Sequence, residues 1–339
     1  MSRNVMSSSN SGPAGERLLG RLASISAAVD SALHPIAVDH PSLIAGVRRL
    51  LDSDGSVRNT FRLLPFPLLG ALSADEELAV PLAVLSRIWW TGAEVLDDLA
   101  DGDFSPALVG LSLSQASIAS TACLTLVPQW LIERQDLPGR VRQQWRNEFA
   151  DGSLHAAEGQ LEDVSAGAEP ASWGSVMRVY VGKSGAPYGR DAAMAAMVAG
   201  ADDTAVRGWR AFGRLFGVLR QLANDGASAL ASRDEDLLNG TSTLLLALAR
   251  ERLEPDEADA LTALRTRAME DAEARRVLRA RLARPDVASA YRGRVDVVRG
   301  KLSDLLRELT APSEHRDLIQ WMIDDSALDA RALGPAEAA

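Results

Sequence analysis

The strongest constraint on the fold is a helical repeat that runs almost unbroken from Glu16 to about Leu309. Apolar residues return at spacings of three and four, which places them on one side of an α-helix. Val206, Trp209, Phe212, Phe216, Leu219 and Ala223 make one such stripe, with Asp203 or Thr204 placed to cap its start. The breaks, at 51–55, 136–139, 165–170 and 200–203, are short and carry Gly, Pro or Asp, residues that end or cap helices. No segment sustains the period of two that a half-buried strand requires, and no internal repeat is visible. The expected class is all-α. With 339 residues, 47% of them hydrophobic, the chain could build one large helical domain or two small ones. Its composition does not shift along the helical region. The expectation is a single domain at 16–328, a disordered Ser/Asn/Gly-rich tail at 1–15 and a frayed tail at 329–339.

A net charge of −10 argues against a nucleic-acid partner, whose phosphates would be repelled. The single cysteine, Cys123, excludes an intramolecular disulfide framework and suits a reducing compartment. The four histidines are scattered, without the spacing of a zinc site. No run approaches the roughly 20 apolar residues of a transmembrane helix. The N-terminal segment lacks the apolar core of a signal peptide. A cytoplasmic location is expected.

One segment stands apart chemically. A strongly apolar helix with Trp89 and Trp90 ends in Asp97-Asp98-Leu99-Ala100-Asp101-Gly102-Asp103. On a helix Asp97 and Asp101 share a face, and Asp98 lies about 100° round from Asp97. Such acids repel one another and oppose the helix dipole at its C-terminal end. Mg²⁺ would relieve this, since it binds one or two carboxylates and completes its shell with phosphate oxygens. The alternative is a solvated acidic helix end. A weaker polar face follows later, where Arg220, Asn224 and Ser228 are successive i+4 neighbours with Asp225 beside them. Its amide, hydroxyl and carboxylate oxygens could hold a further Mg²⁺. Glu235 would join that face if the helix continued. The alternative is a helix C-terminus at Asn-Asp-Gly, capped by Gly226 or Asn224.

Together these segments resemble the trans-isoprenyl diphosphate synthase (polyprenyl synthetase) family, in which two helices present DDxxD motifs to three Mg²⁺ ions. The segment 157–163 is similar to that family's Gly-Gln stretch, Tyr180-Val181-Gly182-Lys183-Ser184 to its Lys-Thr element, 221–228 to its FQxxDDxxD motif and 236–244 to the run after it. The resemblance implies a helical bundle around a central apolar cavity. It implies that Asp97, Asp98 and Asp101 bind two Mg²⁺, and that Asn224, Asp225 and Ser228 replace the second acidic motif. Lys183 and Gln221, with Arg220 beside them, become candidate diphosphate contacts. A homodimer is also implied.

Departures from the family pattern concern the second substrate. Of the early basic loop that binds isopentenyl diphosphate, Arg58 and Arg62 remain. Thr91 stands at the family's histidine position, no arginine pair follows Asp101, and Thr241 replaces a later lysine. Losing several cationic donors removes most charge-assisted binding of a second diphosphate. The expected activity is Mg²⁺-dependent ionisation of an allylic prenyl diphosphate with Asp97, Asp98, Asp101 and Lys183 as catalytic residues, followed by prenyl transfer to an acceptor. Alternatives are a class I terpene cyclase and a catalytically silent subunit of an active synthase. By the same resemblance, small Gly92 and Ala93 leave room for a C15 or C20 chain. Trp89 and Trp90 either line the cavity, stabilising a cation through their π faces, or pack in the core.

Overall fold

The computed structural model describes residues 13–53, 59–165, 171–228 and 235–333. Among them no β-strand occurs, and the all-α expectation holds. The tail expectations at 1–12 and 334–339, and Arg58, lie outside the described residues. Helix nonetheless begins at Pro13 and extends to Arg331, so each end of the helical region reaches slightly past its expected limit.

The chain divides into two compact units, most of whose limits fall inside continuous helices. Unit 1 comprises residues 1–150, 191–207 and 310–319. It holds α1 (Pro13–Asp39), α2 (Pro41–Ser53), α3 (Pro65–Ser73), α4 (Val80–Asp101), α5 (Pro106–Val109), α6 (Leu113–Thr121), α7 (Val127–Glu133) and the start of α8 (Gly139–Ser165). Unit 2 holds the rest of α8 and α9 (Trp173–Tyr180). It also holds the start of α10 (Ala186–Val198) and most of α11 (Asp203–Ser228). Then follow α12 (Glu235–Leu238), α13 (Leu244–Arg250), α14 (Pro255–Ala268), α15 (Ala272–Leu282), α16 (Pro285–Leu309) and the end of α17 (Glu314–Arg331).

Local chemistry explains the helix starts. Proline opens α2, α3, α14 and α16, where its missing N–H costs nothing. Ser112 and Gln115 close a reciprocal capping box on α6, as Ser172 and Ser175 do on α9. The α11 stripe is buried along its whole length, from Val206 to Ala223. Its cap lies one residue earlier than expected: the Asp202 carboxylate accepts the Ala205 N–H at 2.8 Å.

In unit 1, α4 is the central element, packed against α1, α2, α6 and α7. Leu82, Leu85, Ile88, Trp89 and Val95 turn inward from it, meeting a core that includes Ile44, Val47 and Leu50 of α2. Between α6 and α7 the helix widens into a π turn, Ala122–Leu126, which presses Cys123 against α4. Burial pushes the Cys123 thiol up to about 12.

Unit 2 is assembled through glycine. Gly185 and Gly189 on one helical segment meet Gly213 and Gly217 on α11; a Cβ at Gly213 would fall 2.3 Å from the Tyr188 carbonyl oxygen, and one at Gly217 2.3 Å from that of Ser184. The two backbones therefore touch directly. Around them, α13 packs on α9, α15 and α16, with Leu244 to Leu248 buried. No described helix is long and apolar enough to cross a membrane.

Candidate functional site

In unit 1, Asp97, Asp98 and Asp101 occupy the last turn and a half of α4, as their spacing predicts. Asp97 and Asp98 are half-buried and Asp101 is exposed. The helix stops at once after them. Gly102 takes a left-handed conformation (φ 78°), and the Asp98 carbonyl accepts the N–H groups of Asp103 at 2.8 Å and Phe104 at 3.0 Å. That cap fixes the final turn and hence the relative direction of the three acids.

One turn earlier on the same helix stands Glu94, to which the sequence reading gave no role. It forms an ion pair with Arg62, which comes from the 3-10 turn Thr60–Leu63. The Arg62 guanidinium lies over the Trp90 ring, 4.7 Å from its centroid. Trp90 is half-buried and meets Trp89 edge-on, whereas Trp89 is only 4% exposed and belongs to the core. Thr91, at the expected histidine position, is fully buried.

Gly92 has a different reason for its size than chain-length selection. A Cβ there would stand 2.7 Å from the Cys123 Cβ and 3.0 Å from the Ser120 carbonyl oxygen. The Ser120 hydroxyl also donates to the Gly92 carbonyl at 2.6 Å. Its smallness is used up in bringing α4 against α6 and the π turn. The expectation that Gly92 opens space for a longer chain is corrected accordingly; Ala93 is half-buried.

In unit 2, a second π turn, Val181–Gly185, carries Lys183. Inserted π turns place backbone and side chains where a regular helix would not. Here the turn is held by a glycine pair: a Cβ on Gly159 of α8 would lie 2.4 Å from the Lys183 nitrogen, and one on Gly182 would lie 2.7 Å from the Gly159 Cα. Contact at backbone distance brings Lys183 Nζ to 2.8 Å from Asp163 Oδ2. The lysine is thus charge-paired in this state.

The motif at 221–228 is one continuous stretch of α11, and the reading of Asn-Asp-Gly as a helix end is corrected. Gly226 is small because α17 crosses there, the Ala330 carbonyl oxygen lying 2.8 Å from where its Cβ would be. The described part of α11 reaches Ser228 and Glu235 begins α12, so the expectation that Glu235 shares the α11 face lies outside the described residues. The side chains of Ser228 and Glu235 lie outside the described residues. Asn224 is exposed, but Asp225 is only 3% exposed. The Tyr180 hydroxyl donates to Asp225 Oδ2, and the Gln221 amide donates to Oδ1 at 3.0 Å. Gln221 in turn accepts from Ser184 at 2.6 Å, and Tyr180 accepts the Leu244 N–H at 2.9 Å. These bonds join α9, the π turn, α11 and α13. Arg220, on the other side of α11, is turned toward α17, donating to Ser326 at 3.3 Å and Asp329 at 3.5 Å. Burial lowers its pKa, while Tyr188, Asp329 and Asp325 act to raise it.

Among the described residues no three His, Cys, Asp or Glu side chains converge closely enough to hold a metal by themselves. Asp97, Asp98 and Asp101 are nonetheless all-oxygen donors on one helix end. That set fits Mg²⁺ when phosphate oxygens complete the shell, its usual arrangement at such sites. Asp163, Tyr180, Ser184 and Glu94 were missed as partners in the sequence. Asp163, Tyr180 and Ser184 lie inside segments already recognised; only their contacts were invisible.

The chain shares its fold with solved prenyl diphosphate synthases. The chain is similar to the geranylgeranyl pyrophosphate synthetase of Pyrococcus horikoshii (TM-score 0.78, 16% identity, 92% of this chain and 98% of that one). It is similar to the polyprenyl synthetase of Streptomyces coelicolor (TM-score 0.73, 18% identity, 92% and 99%). A third similar structure is the geranylgeranyl pyrophosphate synthase of Corynebacterium glutamicum, complexed with isoprenyl diphosphate and magnesium (TM-score 0.73, 17% identity, 92% and 97%). No family model matches the sequence, and no curated protein matches it.

Proposed function

We propose that the chain ionises an allylic prenyl diphosphate with Mg²⁺ and passes the prenyl group to an acceptor. The observation that carries this reading is the capped final turn of α4, which presents Asp97, Asp98 and Asp101 on a fold shared with prenyl diphosphate synthases. Asp97, Asp98 and Asp101 hold up to two of three expected Mg²⁺ ions; Asn224, Asp225 and Ser228 are the candidates for the third. Bound Mg²⁺ supplies positive charge where negative charge builds on the departing diphosphate.

The chain's own residues supply the rest. Lys183 donates to diphosphate oxygens in exchange for Asp163, and Gln221 offers its amide from the Ser184–Asp225 network. Tyr180 keeps Asp225 oriented. A C15 or C20 substrate is favoured by the resemblance alone, now without support from Gly92. A homodimer fits one surface feature. Residues 104–132 contain no charged side chain, yet Leu108, Leu113, Ile118 and Leu126 are exposed. A location in the cytoplasm completes the reading.

Incubation with farnesyl and geranylgeranyl diphosphate, with and without isopentenyl diphosphate or other acceptors, tests it. A prenylated acceptor supports transfer. A hydrocarbon from a single substrate makes the protein a class I cyclase, and absence of turnover with every acceptor favours the silent subunit. Asp97→Ala and Asp98→Ala should each cut turnover by about 100-fold or more, on the scale of lost electrostatic stabilisation. Near-normal activity in either variant contradicts the assignment.

A further inference from the structure

The face of α4 that carries the acids also carries Trp90 and Glu94. Trp90, Glu94, Asp97 and Asp101 follow one another at spacings of four, three and four, so they form one stripe along the helix. Arg62 lies across the upper part of this stripe with its side chain only 10% exposed. Its guanidinium sits over Trp90 and donates to the Glu94 carboxylate.

This arrangement has a consequence for any second reactant. An arginine that is to grip an incoming diphosphate must offer its N–H fork to the ligand. Arg62 instead lies over an aromatic ring and gives a terminal N–H group to a carboxylate. A second anion approaching this face would have to break the Arg62–Glu94 pair and would meet Glu94 in addition to the three aspartates. Arg87, three residues before Trp90 on α4, donates to the Leu51 carbonyl at 3.4 Å, and Arg49 of α2 donates to that of Gly110; Arg58 lies outside the described residues. A neutral molecule meets no such penalty, because the pair carries no net charge.

We propose that Arg62, Glu94 and Trp90 form a preset, charge-neutral rim on α4 that selects an uncharged second reactant. That reactant is either a neutral acceptor or a double bond of the prenyl chain itself. The inference rests on the reading of the α4 acids as the metal–diphosphate platform, and it assigns Glu94 as the residue that rejects a diphosphate acceptor.

Binding of isopentenyl diphosphate, measured by calorimetry without Mg²⁺ on the full chain, reads the rim apart from catalysis. Glu94→Gln keeps the shape of the side chain but releases Arg62. It should bind isopentenyl diphosphate at least tenfold more tightly than the unmodified protein. Adding Arg62→Gln to that variant should abolish the gain, and melting curves of both variants establish that they fold. The proposal is overturned if Glu94→Gln brings no gain, if the gain survives loss of Arg62, or if the unmodified chain already binds as tightly as the variant. Pyrophosphate release from an allylic diphosphate by the unmodified protein is scored separately. Its absence would remove the proposed activity, while the binding series would still report on the rim.

Discussion

At the scale of single residues, the buried Asp225 carboxylate is held by the Tyr180 hydroxyl and the Gln221 amide. Asn224 and Asp225 are neighbours in a motif, and spacing alone cannot say that one side chain is exposed and the other buried. The difference arises because α11 turns by about 100° per residue and only one side of it meets α9. Asp225 then depends on donors from elsewhere in unit 2. Tyr180→Phe removes one donor from a buried carboxylate and also the acceptor of the Leu244 N–H. It should cost about 1–3 kcal/mol of stability, seen as a lower midpoint in urea unfolding. An unchanged midpoint would mean that Asp225 finds another donor at no cost. The acids of α4 were legible because their chemistry is local: three carboxylates at a helix end need compensation wherever the chain goes. Glu94 was not, since its meaning depends on Arg62, which lies far from it in sequence.

At the scale of elements, helix existence and type followed from periodicity, and the breaks at 136–139 and 200–203 fall between helices as expected. The π turns at Ala122–Leu126 and Val181–Gly185 left no trace in the apolar pattern, since one added residue does not disturb a stripe that tertiary packing completes. Glycine was the legible but misread signal. At Gly92 and Gly226 it marks backbone and side-chain crowding, where the sequence suggested an opening for substrate and a helix end. Gly159→Ala tests the same principle at the Lys183 turn. Its Cβ would meet backbone that cannot move aside cheaply. We expect a loss of about 1–3 kcal/mol in stability, together with weaker diphosphate binding as Lys183 is displaced. A variant with unchanged melting temperature and affinity would show that α8 and the turn separate freely. On the uncharged surface of α6, Ile118→Glu should convert a dimer to a monomer in light scattering; a dimer that persists would place the interface elsewhere.

At the scale of the whole molecule, the all-helical fold was readable from the pattern, whereas the partition into two compact units was not, since all but one of their limits fall inside α8, α10, α11 and α17. A continuous apolar stripe gives no sign that its two ends pack in different clusters. Stability also has a whole-molecule pH dependence with a local origin. Burial alone would raise the Glu76 carboxyl, but Arg21, Arg17 and His315 outweigh it and hold it below the ordinary carboxylate value. A depressed carboxyl stabilises the folded state above its unfolded pKa and loses that contribution as pH falls through its folded one. Unfolding free energy should therefore decline as the pH drops below the normal carboxylate range, and Glu76→Gln should flatten that decline. An equally steep acid limb in the variant would assign the effect to other groups.

The proposed activity, removal of pyrophosphate from a polyprenyl chain by means of metal held at the end of α4, has a direct test. Inorganic pyrophosphate released from geranylgeranyl or farnesyl diphosphate should appear with Mg²⁺, disappear with excess chelator and fail to appear in Asp97→Ala. Release that persists without divalent metal, or that is indifferent to Asp97, would contradict it.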